Sequence, residues 1–274
     1  MNYYRLISSA GYDKVNLRRG EIEYLSFGWG EKPLILLPGL GSALRSLKGT
    51  AVPMALMYRI FAKDYRVYVF SRRENCEEGC STAEMAEDLA EAMGKLGIGR
   101  AAVVGVSMGG MIAQQLAIRH SELVEKLVLT VTCAGPNERL DAAVREWVEL
   151  ARRGEHAAFM ESNLRLIYSE KYYRRNKWMT PLLGLLTKPK SYEPFLIHAE
   201  ACMSHDARDG LDKISCPTLI IGGELDKVVS PEESRELHKQ IPGAELYMYA
   251  SLGHGLYEEA GDFNQRVLCF LMRG

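Results

Sequence analysis

Residues 101–110 of this 274-residue chain read AAVVGVSMGG. The small and β-branched residues before Gly105 predict a buried strand, and the sequence from Met108 onward predicts a helix. Ser107 would then lie in a sharp turn, with Gly105 and Gly109 at the positions where side chains would collide. Such a turn projects a serine hydroxyl from the edge of a sheet, which suits a nucleophile. A G-x-S-x-G pattern alone also fits a Gly-rich turn, but its place between a strand and a helix favours the catalytic interpretation.

Predicted strands and helices alternate on both sides of this turn. The predicted strands cover residues 12–18, 22–27, 33–38, 66–70, 101–106, 124–132, 217–221 and 245–249. The predicted helices that alternate with them cover residues 52–63, 82–96, 108–119, 231–240 and 257–272. The first two strands predict a hairpin, whereas the later alternation predicts βαβ units. The sequence therefore predicts an α/β fold with a mostly parallel, doubly wound sheet.

A helical insertion interrupts the alternation. Amphipathic helical patterns without a convincing strand cover residues 140–153, 156–169, 172–186 and 192–203. The simplest organisation is one α/β domain, formed by residues 1–133 and 212–274, that contains a helical insertion at 134–211.

Two later loops supply the partners that a serine nucleophile needs. Asp226 follows the predicted strand at 217–221, and His254 follows the last predicted strand, between two glycines. An imidazole can take the Ser107 proton and return it to a leaving group, and a carboxylate can orient the ring. Glu224 follows the same strand as Asp226, so it is the alternative acid.

Two backbone amides are candidates for an oxyanion hole. Met108 follows the nucleophile directly, and Leu40 lies in a Gly-rich loop after an early strand. N–H groups at these two places would stabilise a developing oxyanion. A phosphate-binding loop is the alternative interpretation of the segment around Leu40, but that segment lacks the Lys-Ser/Thr of a P-loop.

The amino-acid composition limits the classes of binding partner that we expect. The chain has 34 Lys and Arg against 35 Asp and Glu, so it offers no overall charge to attract nucleic acid or anionic membranes. Its six cysteines form no C-x-x-C pair, which argues against a zinc site, and no metal or other cofactor is expected. The first residues lack the apolar core of a signal peptide, so we expect a cytoplasmic protein with reduced thiols and a small-molecule substrate. The oligomeric state is left open.

With these motifs the chain resembles the α/β-hydrolase superfamily along nearly its whole length. It is similar to the small, capped, cofactor-free members: carboxylesterases, enol-lactone hydrolases, C–C bond hydrolases and non-haem haloperoxidases. The resemblance implies a nucleophile elbow at Ser107, a triad with Asp226 and His254, and a helical cap at 134–211. Ser107 argues against the epoxide hydrolases and haloalkane dehalogenases, which use an aspartate nucleophile.

The chain also departs from the family pattern. Pro38 stands where many relatives carry a histidine that buttresses the oxyanion loop, and residues 71–81 replace the family's Asp-x-Arg-Gly-x-Gly-x-Ser segment. Val106 stands where C–C hydrolases commonly carry Asn. Residues 171–178 mix basic and aromatic side chains as a nucleic-acid patch does, but the near-zero net charge favours a solvated cap helix.

We therefore expect a serine hydrolase that cleaves a small, largely apolar ester, lactone or thioester through an acyl-enzyme. The alternatives are C–C hydrolysis, lyase or cofactor-free haloperoxidase chemistry with the same triad, and a non-catalytic ligand-binding protein. Aromatic and Met residues of the insertion could line an apolar pocket, or they could pack the cap against the core. These residues are Trp147, Phe159, Met160, Tyr168, Trp178, Met179 and Met203.

Overall fold

The computed structural model describes residues 2–73 and 75–273, apart from the side chains of Leu183, Leu185 and Leu186. Residues 1, 74 and 274 of the predicted α/β domain lie outside this description. Within it, eight strands form one sheet in the order β1-β2-β4-β3-β5-β6-β7-β8. The strands are β1 (Gly11–Leu17), β2 (Gly20–Phe27), β3 (Lys32–Leu37), β4 (Tyr65–Arg73), β5 (Ala101–Val106), β6 (Val124–Thr130), β7 (Thr218–Gly223) and β8 (Glu245–Tyr249).

The sheet is mostly parallel, as predicted. β1 and β2 form the expected antiparallel hairpin, and β2 also runs antiparallel to β4. Every other neighbouring pair is parallel. β3 lies between β4 and β5, so the winding direction of the chain reverses there, and a crevice opens beyond the carboxyl ends of the strands.

Helices cover both faces of the sheet. They are α1 (Tyr3–Ser9), α2 (Ala51–Met57), α3 (Thr82–Lys95), α4 (Met108–Arg119), α5 (Glu138–Arg152), α6 (His156–Ile167), α7 (Glu170–Asn176), α8 (Thr180–Leu186), α9 (Glu193–Met203), α10 (Pro231–Gln240), α11 (Leu256–Glu259) and α12 (Phe263–Leu271). Residues of α3, α4 and α10 share one apolar core, and residues of α1, α2 and α12 share the other. Successive residues of β5 alternate between the two cores: Val103 belongs to the first and Val104 to the second. This explains why the strand reads as a continuous apolar run.

Several predicted helices differ from the observed ones. The sequence analysis did not predict α1, which the Asn2 side chain caps by accepting the Arg5 N–H. The predicted helix at 172–186 is two helices, and Pro181 falls in the first turn of the second, where its missing N–H is tolerated. The predicted helix at 257–272 is also two helices.

The helix predicted at 52–63 ends at Met57, and a 3-10 turn, Arg59–Phe61, follows it. The Ala62 carbonyl after this turn accepts the Trp29 N–H at 2.9 Å. That bond ties the segment to the chain just after β2 instead of letting the helix continue.

Helices α5 to α9 lie between β6 and β7 along the chain, within the predicted insertion. The Ala207 N–H donates to the Ala134 carbonyl at 2.7 Å, so the two ends of this segment lie side by side. α9 packs against a 3-10 helix, Leu40–Leu44, that follows β3. The division into domain and cap stays a prediction. In the described part of the chain, no helix is long and apolar enough to cross a membrane.

Candidate active site

The turn between β5 and α4 is strained and tightly packed. Ser107 has φ 53° and ψ −121°, a conformation that non-glycine residues rarely adopt. A Cβ on Gly109 would lie 2.0 Å from the Leu37 carbonyl oxygen, and one on Gly105 would lie 2.5 Å from the Gly109 carbonyl oxygen. Both positions therefore require glycine, as the sequence pattern indicated.

Three predicted site residues form one hydrogen-bonded chain. Ser107 Oγ lies 3.0 Å from His254 Nε2, and His254 Nδ1 lies 2.9 Å from Asp226 Oδ2. The residues follow β5, β8 and β7 at the carboxyl edge of the sheet, and each is at most 9% exposed. If Nδ1 carries the ring proton and donates it to the carboxylate, Nε2 accepts the serine O–H. The arrangement can therefore move a proton away from Ser107.

Backbone amides hold the Asp226 carboxylate. Its Oδ1 accepts the N–H groups of Val228 at 2.8 Å and Val229 at 3.0 Å, while Oδ2 faces the histidine. The alternative acid, Glu224, is instead engaged by Arg235, at 2.6 and 2.7 Å. The contacts of the two valine amides could not be predicted, because the amino-acid sequence of a loop does not specify the direction of its N–H groups.

The two candidate oxyanion donors begin helical segments. Leu40 is the first residue of the 3-10 helix after β3, and Met108 is the first residue of α4. N–H groups in the first turn of a helix have no acceptor within that helix, so they are available to a ligand. A Cβ on Gly39 would lie 3.4 Å from the Ser107 Cβ, which shows how closely this loop passes the serine.

Arg72 supports the oxyanion loop from beneath, and the sequence analysis missed it. Its guanidinium donates to the carbonyls of Pro38 at 2.6 Å and Gly39 at 3.0 Å, and to Ser42 Oγ at 2.5 Å. Burial lowers the pKa of Arg72 from 12.5 to about 10. The side chain thus supplies, from β4, a buttress of the kind that the sequence lacks at position 38. The sequence feature that could have indicated this role is the pair of consecutive arginines at the end of an apolar strand.

A cavity of about 600 Å³ opens above Ser107 and His254. Five of the seven aromatic and Met residues singled out in the insertion line it: Trp147, Phe159, Met160, Tyr168 and Met179. Trp178 does not, because it is 73% exposed on the surface, and Met203 packs against the core instead. Residues 171–178 form a mostly exposed helical segment.

The cysteines and other metal-ligating side chains are dispersed. All six cysteines are free thiols, although Cys76 Sγ and Cys80 Sγ lie 3.0 Å apart. Over residues 2–73 and 75–273, no group of three or more His, Cys, Asp or Glu side chains is arranged to hold a metal ion.

Known proteins resemble this chain along most of its length. A 2-hydroxy-6-oxononadienedioate/2-hydroxy-6-oxononatrienedioate hydrolase of Burkholderia vietnamiensis is 27% identical over 92% of this chain and 91% of that protein. A putative carbamate hydrolase, RutD, of Stutzerimonas stutzeri is 24% identical over 86% of this chain and 89% of that protein. The crystal structure of MGS-M2, an alpha/beta hydrolase from a Medee basin deep-sea metagenome library, matches with a TM-score of 0.85 at 25% identity, over 96% and 98% of the two chains. The sequence also matches the family described as alpha/beta hydrolase fold over residues 32–261. The chain therefore belongs to this family and is an α/β-hydrolase enzyme.

Proposed function

We propose that this enzyme is a serine hydrolase that cleaves a small, largely apolar ester, lactone or thioester through an acyl-enzyme. The observation that carries the proposal is the continuous hydrogen-bonded chain Ser107–His254–Asp226 at the floor of a mostly apolar cavity. A buried serine, histidine and carboxylate in this order are the components of nucleophilic acyl transfer.

In the first half of the reaction, Ser107 Oγ attacks the carbonyl carbon of the substrate while His254 Nε2 takes the serine proton. The amides of Leu40 and Met108 stabilise the oxyanion that forms on the carbonyl oxygen. The tetrahedral intermediate collapses, the bond to the leaving alcohol or thiol breaks, and His254 gives that group its proton. Asp226 holds the ring in the required tautomer throughout.

In the second half, water replaces the leaving group. His254 takes a proton from the water, the resulting hydroxide attacks the acyl-enzyme carbonyl, and the proton passes to Ser107 Oγ as the acid departs. The two half-reactions require no reactant besides the substrate, these side chains and water. We expect the reaction to need no cofactor, and we keep the cytoplasmic location as a prediction of the sequence.

C–C bond hydrolysis is the second candidate. The relative from B. vietnamiensis is named for a hydroxy-oxo-dioate, and the same triad suits hydrolysis of a bond next to a carbonyl. Two charged side chains of opposite effect on a dicarboxylate line the cavity: Glu258 would repel a carboxylate and Arg45 would attract one. Mass spectrometry of products from a panel of esters, lactones and oxo-dioates distinguishes the two candidates.

Ser107→Ala tests the proposal. We expect the variant to lose turnover of a short-chain p-nitrophenyl ester and covalent labelling by a fluorophosphonate, because both require the serine oxygen. Ser251→Ala, in the exposed loop just before His254, is the matched control and retains both. Undiminished ester hydrolysis by folded Ser107→Ala would overturn the assignment, and absence of labelling in the folded parent would favour the ligand-binding alternative.

A further inference from the structure

The cavity contains a carboxylate that the proposed reaction does not use. Glu258 lies one helical turn after His254, in α11, and lines the cavity together with the triad. Its Oε2 accepts the Tyr168 hydroxyl proton at 2.6 Å. Glu258 is exposed and is one of the residues that line the cavity, so a ligand can reach it.

The negative charge of Glu258 lacks a counter-ion. Over the described chain, no Lys, Arg or His side chain forms an ion pair with Glu258, whose carboxylate accepts its one hydrogen bond from Tyr168. Surrounding protein raises the pKa of Glu258 by desolvation, and Glu259 raises it further. Arg45 also lines the cavity, but among the described residues it makes no ion pair with Glu258. An anion that is partly desolvated without a cation is stabilised by any ligand that brings one.

Four tyrosines line the same cavity as this carboxylate. Tyr58, Tyr168, Tyr172 and Tyr257 all line the cavity, and the charge of Glu258 raises the pKa of each, after the larger effect of burial. The rings of Tyr168 and Tyr172 stack at 4.4 Å with an interplanar angle of 15°. Tyrosine rings attract cations through the negative potential of their faces.

Other hydrogen bonds also connect the helical segment around Tyr168 to the core. Ser169 donates both its backbone N–H, at 2.9 Å, and its hydroxyl, at 2.5 Å, to Glu259. The Gly255 N–H donates to the Ile167 carbonyl at 2.6 Å. Glu258 is therefore available to a ligand in a way that Glu259 is not.

We propose that Glu258 and its four tyrosines form a subsite for a positively charged nitrogen, so that the preferred substrate is an ester carrying an ammonium group. The cleavage of that ester rests on the proposed function, whereas the binding of the cation does not. A bound ammonium would supply the missing counter-charge to Glu258 and would contact the electron-rich rings.

The test compares acetylcholine, the acetate ester of choline, with its neutral isostere, 3,3-dimethylbutyl acetate, which has carbon in place of the charged nitrogen. Binding is measured by calorimetry to the Ser107→Ala protein, so that no turnover intervenes. We expect the choline ester to bind roughly tenfold more tightly. Adding Glu258→Gln, which keeps an oxygen for the Tyr168 hydroxyl but removes the charge, should bring the ratio close to one.

Glu161→Gln is the matched control. Glu161 also accepts a tyrosine hydroxyl, that of Tyr173 at 3.1 Å, but it lies on the surface away from the cavity, so the ratio should not change. A ratio of one or less with Glu258 intact, or an unchanged ratio in Glu258→Gln, would overturn the subsite. Failure of the Ser107-containing protein to hydrolyse any ester would overturn the proposed function and leave the binding ratio standing.

Discussion

The carboxylate of the triad, Asp226, and the carboxylate that lines the cavity, Glu258, are held in opposite ways. On the core side, Asp226 faces two backbone amides and an imidazole, and all three contacts are 3.0 Å or shorter. On the side of the inserted helices, Glu258 has one tyrosine hydroxyl and aromatic surroundings. A carboxylate whose hydrogen bonds are satisfied can position a catalytic group, whereas one without a counter-charge can select a ligand. We infer that Asp226 sets the chemistry and that the cavity around Glu258 sets the choice of substrate.

The largest effect should follow from changing the core carboxylate. In Asp226→Asn the amide oxygen can still accept the Val228 and Val229 N–H groups. The amide nitrogen would then donate to His254 Nδ1 and favour the wrong tautomer. We expect kcat for a p-nitrophenyl ester to fall by roughly 10³–10⁴-fold with little change in folding. Steady-state kinetics and circular dichroism measure the two quantities.

Glu224→Gln is the control for this change, because Glu224 follows the same strand and bonds Arg235 instead of the histidine. It should lower kcat by no more than about twofold, since it loses only a partly exposed ion pair. If Glu224→Gln were as inactive as Asp226→Asn, the acid would have been assigned to the wrong residue.

A smaller effect is expected when the support of the oxyanion loop is removed. Arg72→Met loses the bonds to Pro38, Gly39 and Ser42, so the Leu40 amide loses its fixed position. We expect kcat to fall by roughly 100-fold while KM stays nearly constant, because the oxyanion exists only after attack. Arg72→Lys, which restores part of the hydrogen bonding, should recover part of the rate.

Arg66→Met is matched to Arg72→Met. Arg66 lies on the same strand and also donates to a backbone carbonyl and a serine hydroxyl, those of Gly28 and Ser26, but at the far end from the cavity. It should cost stability without lowering kcat. An equal loss of kcat in both variants would mean that Arg72 acts on the whole fold and not on the loop.

Much of the fold could be predicted because the sheet is buried on both faces. Buried parallel strands read as apolar runs, and the turn after β5 has few solutions besides glycines around the serine. The breaks within 172–186 and 257–272 were missed, because helical periodicity continues across them. They depend instead on local backbone features and on contacts with distant parts of the chain.

The residues of the candidate site also divide into those that could be predicted from the sequence and those that could not. Ser107, Asp226 and His254 could be proposed from their order after successive strands, and the structure brings the three together. Arg72 could not, because it acts through a long side chain on carbonyls more than 30 residues away in sequence. Glu258 was also missed, although a carboxylate one helical turn after a candidate catalytic histidine was visible in the sequence.

A buried histidine in α9 makes the stability of the protein depend on pH. His198, in α9, is 3% exposed, and neither of its ring nitrogens has a hydrogen-bond partner among the residues that the structure describes. Burial, with the charge of Arg72, lowers its pKa from 6.5 to about 3. As the pH falls below about 6.5, the unfolded chain gains a proton that the folded protein does not take up, so stability is lost from there toward about pH 3.

His198→Leu removes this dependence. Between about pH 8 and pH 5 the variant should gain about 2 kcal/mol relative to the parent, as measured by urea unfolding. Near pH 8 the two should be similar, because an apolar side chain replaces a polar group without partners. A stability difference that is the same at both pH values would contradict the buried neutral histidine.

The smallest effect concerns an aromatic residue of the inserted helices that lines the cavity. Phe159 is 1% exposed, lines the cavity and meets the Phe195 ring edge to face at 5.2 Å. Phe159→Leu makes room for about one or two methylenes, each worth about 0.8 kcal/mol, so the kcat/KM ratio of octanoate to butyrate esters should rise about fourfold to fifteenfold. Phe27→Leu removes the same volume from the opposite core, at a position that does not line the cavity, and should leave the ratio unchanged. A change of kcat on butyrate as large as the change in the ratio would mean that the inserted helices govern the chemistry as well as the choice of substrate.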